Sequence, residues 1–271
     1  MDFTFETIGE TESFLDKIID LSSCTWCDPW IIGLVCLKAI ENKSLQNKKI
    51  ILPDSPDVLA YLKRMHFDSL MTNLGYAEDM RPMSDLLMNE LDNPNLHEIL
   101  HCSFRDDFNA RLQSRIRKMF TNFGMNADDE ARATAMVGEL GNNVFDHNEG
   151  LWPTEIRGAI ITAQNYPTKK RIEISVADPG GGFLGSLRLS KPDLKDDIEA
   201  IELGLSGITG RMPEKRGNGL LVVQDWTLNK FHGSVRIHSG AGLVVVDKDG
   251  KRSRQAKRTL GTIASLVVEY N

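Results

Sequence analysis

"ELGNNVFDH", residues 139–147, sets a carboxylate, two adjacent carboxamides, a second carboxylate and an imidazole into a stretch that otherwise reads as a buried helix. On a helix, Glu139, Asn143 and His147 recur at every fourth position and stack on one face, while Met136, Leu140 and Val144 form the apolar stripe beside them. A helix lying on a sheet with its polar edge at the rim of a pocket meets both requirements. Around this stretch, residues 104–123 place Phe108, Leu112, Ile116 and Phe120 at helical spacing, and "NADDEARATAM" opens the next helix with acidic residues in its first turn. The segments "IRGAIITA", "RIEISVAD", "GSVRIHS", "GLVVV" and "TIASLVVEY" are apolar or alternate with period two, as strands do. Two helices against a mainly antiparallel sheet make the second half an α+β sandwich.

The first half has a different rhythm. "IIDLSSC" reads as a strand, 28–42 as a helix, "KKIILP" as a strand and "SPDVLAYLKRMHF" as a helix, an alternation that predicts an α/β domain with a parallel or mixed sheet. Asp28 before Pro29 and Ser55 before Pro56 are capping residues ahead of a proline at the first helical position. Residues 78–97 carry Pro82, Pro94 and several Asp and Asn without a sustained period, which sets the domain limits at 1–95 and 96–271. No internal repeat or low-complexity segment interrupts either half.

Composition narrows the classes. The chain of 271 residues is 41% hydrophobic and 26% charged, the balance of a globular protein, and its net charge of -6 argues against a broad nucleic-acid or membrane surface. Lys251, Arg252, Arg254, Lys257 and Arg258 form a local basic run after the turn signal "DKDG", read as a solvated hairpin loop. Cys24, Cys27, Cys36 and Cys102 are too few for a disulfide framework and point to a reducing compartment; "CTWC" reads as structural, because no second pair completes a zinc site. The acidic start "MDFTFE" lacks the features of a signal peptide, and the longest apolar run, "WIIGLVCLKAI", has 11 residues against about 20 for a bilayer-crossing helix. The expected location is the cytoplasm.

Two glycine-rich stretches join the polar helix. In "VADPGGGF", Asp178 ends a strand ahead of Gly180, Gly181 and Gly182; an aspartate there accepts a hydrogen bond from an exocyclic amine, and glycines permit close backbone approach. In "KRGNGLLVVQDW", Gly217 and Gly219 lead into an apolar helical run beside Lys215 and Arg216, an arrangement suited to an anion. It is neither a Walker P-loop nor the dinucleotide GxGxxG.

In this order the pieces resemble the GHKL superfamily of ATP-binding domains, which includes gyrase, MutL, heat-shock chaperone ATPases, histidine kinases and anti-sigma-factor serine kinases, the last being most similar in style. The resemblance covers about residues 104–271. It implies the Bergerat ATP-binding fold, with Glu139 as the catalytic carboxylate and Asn143, four positions on, as the Mg²⁺ ligand. It implies Asp178, Gly180 and Gly182 around the adenine, Gly217, Gly219 and Leu220 near the phosphates, Lys215 or Arg216 neutralising charge, and Thr262 near the adenine. Residues 183–216 would form a lid of short helix and glycine hinges. Val222 departs from the family's usual leucine. Asn142, Asp146 and His147 take supporting positions, with Asp146 pointing away from the polar face, solvated or paired with a basic neighbour.

The first half resembles a STAS domain less specifically, through its order of strand, "DPW", helix, strand and helix. Pro29 and Trp30 stand where phosphorylatable members carry a serine or threonine, which implies no phosphorylation switch there. The implied function is an ATP- and Mg²⁺-dependent protein, an ATPase or a serine/threonine kinase, that regulates a protein partner, with room for a homodimer. The alternatives are a non-catalytic nucleotide-binding module and a histidine kinase using His97-Glu98 in "LHEILHCSF".

Overall fold

The computed structural model describes residues 1–7, 16–84, 86, 96–108, 110–148, 152–208 and 218–270. Its first half contains β1 (Asp2–Phe3), β2 (Ile18–Asp20), β3 (Trp26–Cys27), α1 (Pro29–Asn42), β4 (Lys49–Ile51), α2 (Pro56–Arg64), α3 (Phe67–Asn73) and α4 (Ala77–Ser84). Strand β1 pairs parallel with β3, and β2 with β4, so the expected single sheet is instead two short ribbons. The core is built around a helix rather than a sheet. Helix α1 is apolar on every side and buries Trp30, Ile31, Leu34, Val35 and Leu37. Its start is fixed by Asp28, whose Oδ1 accepts the Ile31 N–H at 2.9 Å while Oδ2 accepts the Phe5 N–H at 2.8 Å. Ser55 makes no equivalent side-chain bond at the start of α2. Helix α4 runs through Pro82 into the stretch read as a linker; most of that stretch beyond Ser84 lies outside the described residues. Cys24 and Cys27 are buried free thiols.

The second half contributes β5 (Leu96–Cys102), α5 (Ala110–Asn122), α6 (Ala127–Asn148), β6 (Ala159–Tyr166), β7 (Arg171–Asp178), α7 (Gly182–Leu187), α8 (Asp197–Leu205) and α9 (Gly219–Asp225), then β8 (Ser234–Ser239), β9 (Gly242–Asp247), β10 (Gly250–Gln255) and β11 (Thr262–Glu269). Seven strands form one sheet in the order β10-β9-β8-β11-β7-β6-β5, every neighbour antiparallel. One face packs on α5 and α6 through Leu112, Ile116, Phe120, Met136, Leu140 and Val144, as expected from the sequence; Phe108 joins this core from the turn before α5, which starts at Ala110 and not near residue 104. "LHEILHC" is the edge strand β5, so His97 and Glu98 sit on a strand and not on a dimerisation helix.

The second face of the sheet is covered as well. Helix α1 crosses β6, β7 and β11, and Ile160, Ala177, Leu243 and Ile263 share one hydrophobic core with the first half. Two polar pairs bond across that buried face: Thr162 Oγ1 donates to the Pro29 carbonyl at 3.0 Å and Tyr61 Oη to Gln164 at 2.9 Å. His238 stacks on Trp30 with centroids 6.2 Å apart, and burial drives its pKa down to about 4. The result is a helix–sheet–helix arrangement whose core continues across the expected boundary at residues 95 and 96.

The basic run is an exposed strand, β10, for most of its length, where a loop was expected. The "DKDG" turn is tight enough that Asp247 and Gly250 face each other in the ladder, which extends pairing into the run. Its charges meet acidic partners: Lys251 with Glu202 at 3.3 Å, Lys257 with Asp16 at 2.7 Å and Arg258 with Asp197 at 3.0 Å. Among the described residues, no helix is long and apolar enough to cross a membrane.

Candidate functional site

The C-terminal half of α6 forms one wall of a cavity of about 600 Å³, with the ends of β7 and β11 below and α7, α8 and α9 around it. Glu139, Asn143, Asp178, Gly182, Gly219, Leu220 and Thr262 all border it, so segments up to 123 residues apart in the chain converge on one space. Gly180 does not reach the wall; it lies beneath, against Asn148. Lys215, Arg216 and Gly217 lie outside the described residues, as does the rest of the lid from residue 209 on. The described part of the lid holds two helices, α7 and α8, where one short helix was expected.

Register brings Asp178 and Thr262 together. They are direct partners across β7 and β11, and Thr262 Oγ1 lies 3.1 Å from Ser239 Oγ, which also accepts the Phe183 N–H at 2.9 Å. Gly182 follows with φ of 71°, a left-handed conformation that turns the chain from β7 into α7 without a Cβ penalty. Asp178 is buried, and its Oδ1 accepts two hydrogen bonds, from Gly180 N–H at 2.9 Å and from Asn148 Nδ2 at 3.1 Å. Burial raises its pKa to about 7, against the lowering effect of these two donors.

Across the cavity, Glu139 is exposed on α6 and rests against the first residue of α9. The Glu139 carboxylate lies against Gly219, where a Cβ would have to push it aside, so α9 starts in contact with this side chain. His147 Nδ1 lies 3.1 Å from Ser186 Oγ on α7, in keeping with its expected hydrogen-bonding role. Asp146 borders the cavity, where it was expected to point away. It pairs with a basic neighbour, as expected: the turn before α5 brings the Arg105 guanidinium to the end of α6. Asn142 also reaches the cavity wall.

Two cavity-side residues escaped sequence reasoning, Arg105 and Asn148. Asn148 sits just past the polar motif and looks like a helix-end residue; only the return of β7 shows that it meets Asp178. Among the described residues, no three His, Cys, Asp or Glu side chains are grouped to hold a metal. A magnesium ion carried by phosphates needs only one or two protein oxygens, and the Asn143 carboxamide beside Glu139 is such a donor. No protein-family description, curated protein or solved structure matches this chain.

Proposed function

We propose that the cavity binds ATP with Mg²⁺ in the manner of the GHKL superfamily, and that its turnover or exchange regulates a protein partner. The observation that carries this reading is the convergence of Asp178, Thr262, Asn143, Glu139 and Gly219 on one cavity of about 600 Å³, a volume within the usual range for small-molecule sites. Asp178 Oδ1 is engaged by the protein and Oδ2 takes no part in those bonds, which fits an acceptor for the adenine amino group. Asn143 would hold Mg²⁺, which neutralises charge on the phosphates when bound. Glu139 then accepts the proton of the attacking group, water in an ATPase or a protein hydroxyl in a kinase. For residues 1–95, the STAS-like reading rests on the order β2, α1, β4 and α2 alone, because the strands of this half form two short ribbons in place of one sheet.

Single-turnover phosphate release with ATP and Mg²⁺ tests the catalytic part. Glu139→Ala is expected to slow release by about 100-fold or more while leaving nucleotide affinity within a few-fold. Equal rates with intact binding would leave a passive nucleotide-binding module.

A further inference from the structure

Asn148 ends α6 and is 5% exposed, an unusual position for a carboxamide unless its bonds are met. All of its polar atoms have partners. Its Nδ2 donates to the Val144 carbonyl at 2.8 Å and to Asp178 Oδ1 at 3.1 Å, and its Oδ1 accepts the Gly181 N–H at 2.9 Å. A flipped amide would set oxygen against the Val144 carbonyl and NH₂ against the Gly181 N–H, so these bonds select a single orientation. The fit is close: a Cβ on Gly180 would overlap the carboxamide.

We propose that Asn148 is the positioning residue of Asp178, and that through it the pocket selects bases carrying an exocyclic amine, the 6-aminopurine class, over their 6-oxo counterparts. This rests on the nucleotide reading above. With Asn148 and Gly180 both donating to Oδ1, that oxygen is committed to accepting and Oδ2 is the atom left to meet a base. An ionised Oδ2 accepts from a 6-amino group. A protonated Oδ2 donates, and then matches a 6-oxo group instead. The carboxylate is buried and its proton is held up to about pH 7, so the Asn148 N–H, which favours the ionised form, tips this choice near neutrality. Among the described residues, the other charged or titratable groups on the cavity wall are Glu139, Asp146 and His147 from α6 and Arg105; the described walls from α7, α8, α9 and β11 bring none.

The test is competition binding of ATP and inosine triphosphate, each with Mg²⁺, to the full chain between about pH 6 and 9. Asn148→Ala is expected to weaken ATP by about tenfold at neutral pH, to leave inosine triphosphate within about twofold, and to move the pH midpoint of ATP binding upward by about one unit. Asn148→Asp keeps the shape but removes the donor and adds a like charge, so it shifts the midpoint further in the same direction. Circular dichroism identifies any variant that fails to fold, and the near-isosteric Asn148→Asp then carries the comparison. Equal loss of both nucleotides with an unmoved midpoint would reduce Asn148 to a structural role and overturn the proposal. A wild-type protein that binds neither nucleotide would overturn the ATP reading itself, and the proposal with it.

Discussion

Asp178 is held in an environment that costs the fold something. Its pKa of about 7 in the native state lies well above 3.8, so the native state holds the proton more tightly than the unfolded chain between about pH 4 and 7. Rising pH therefore lowers native stability across that window, and the penalty is complete above about pH 7. A shift of this size corresponds to about 4 kcal/mol. Asp178→Asn keeps an oxygen for the Gly180 and Asn148 donors and removes the ionisation, so the variant should gain stability over the wild type as pH rises. Urea denaturation at pH 4 and pH 8 checks this; a difference between variant and wild type that is the same at both values would contradict it. Such a cost is what a group kept for ligand contact, and not for stability, would carry. At this scale Asp178 was readable from its place between a strand and a glycine run. Asn148 and Arg105 were not, since neither belongs to a local pattern and each meets its partner only through chain return.

The elements were largely legible. Strand β7 spans the segment read from the sequence, α5 and α6 bury the faces expected of them, and α1 begins where Asp28 and Pro29 announce a start. Two local readings differ for physical reasons. The basic run pairs along β9 because a two-residue turn continues the ladder, and "LHEILHC" joins the sheet as an edge strand although its His-Glu pair imitates a helical motif. Asp28 does more than cap. It also ties the N-terminal segment to α1 through the Phe5 N–H, so Asp28→Ala releases two backbone donors. The expected cost is about 1–2 kcal/mol at pH 6, where burial keeps this carboxyl largely protonated, its pKa being raised to about 7. An unchanged urea midpoint at that pH would show that neither bond matters to α1.

For the molecule as a whole, the feature least visible in the sequence is the covering of both faces of the sheet. Thr162, Gln164, Glu173, Arg236 and His238 alternate with apolar neighbours as residues of a solvent-facing surface do, yet α1 and its surroundings bury them. Period-two patterning separates two faces but does not say what covers the polar one. Specific bonds offset part of the cost of this burial: Arg236 pairs with Glu6 at 2.9 Å and lies 4.2 Å from the Phe5 ring centroid, and Glu173 pairs with Arg171. The N-terminal half is thus packed behind the sheet, opposite the cavity, and the polar edge of α6, Asp178, Gly182, Gly219 and Thr262 are left to meet on the other side. Whether that cavity is an adenine-nucleotide site is the central claim. Calorimetric titration of the wild type and Asp178→Asn with ATP and Mg²⁺ at about pH 8 addresses it directly, since Asp178 is then ionised. The account predicts saturable binding by the wild type and a loss of about 1–3 kcal/mol, about 5- to 150-fold in affinity, in a folded variant. Unchanged ATP affinity in that variant, or no binding by the wild type, would contradict it.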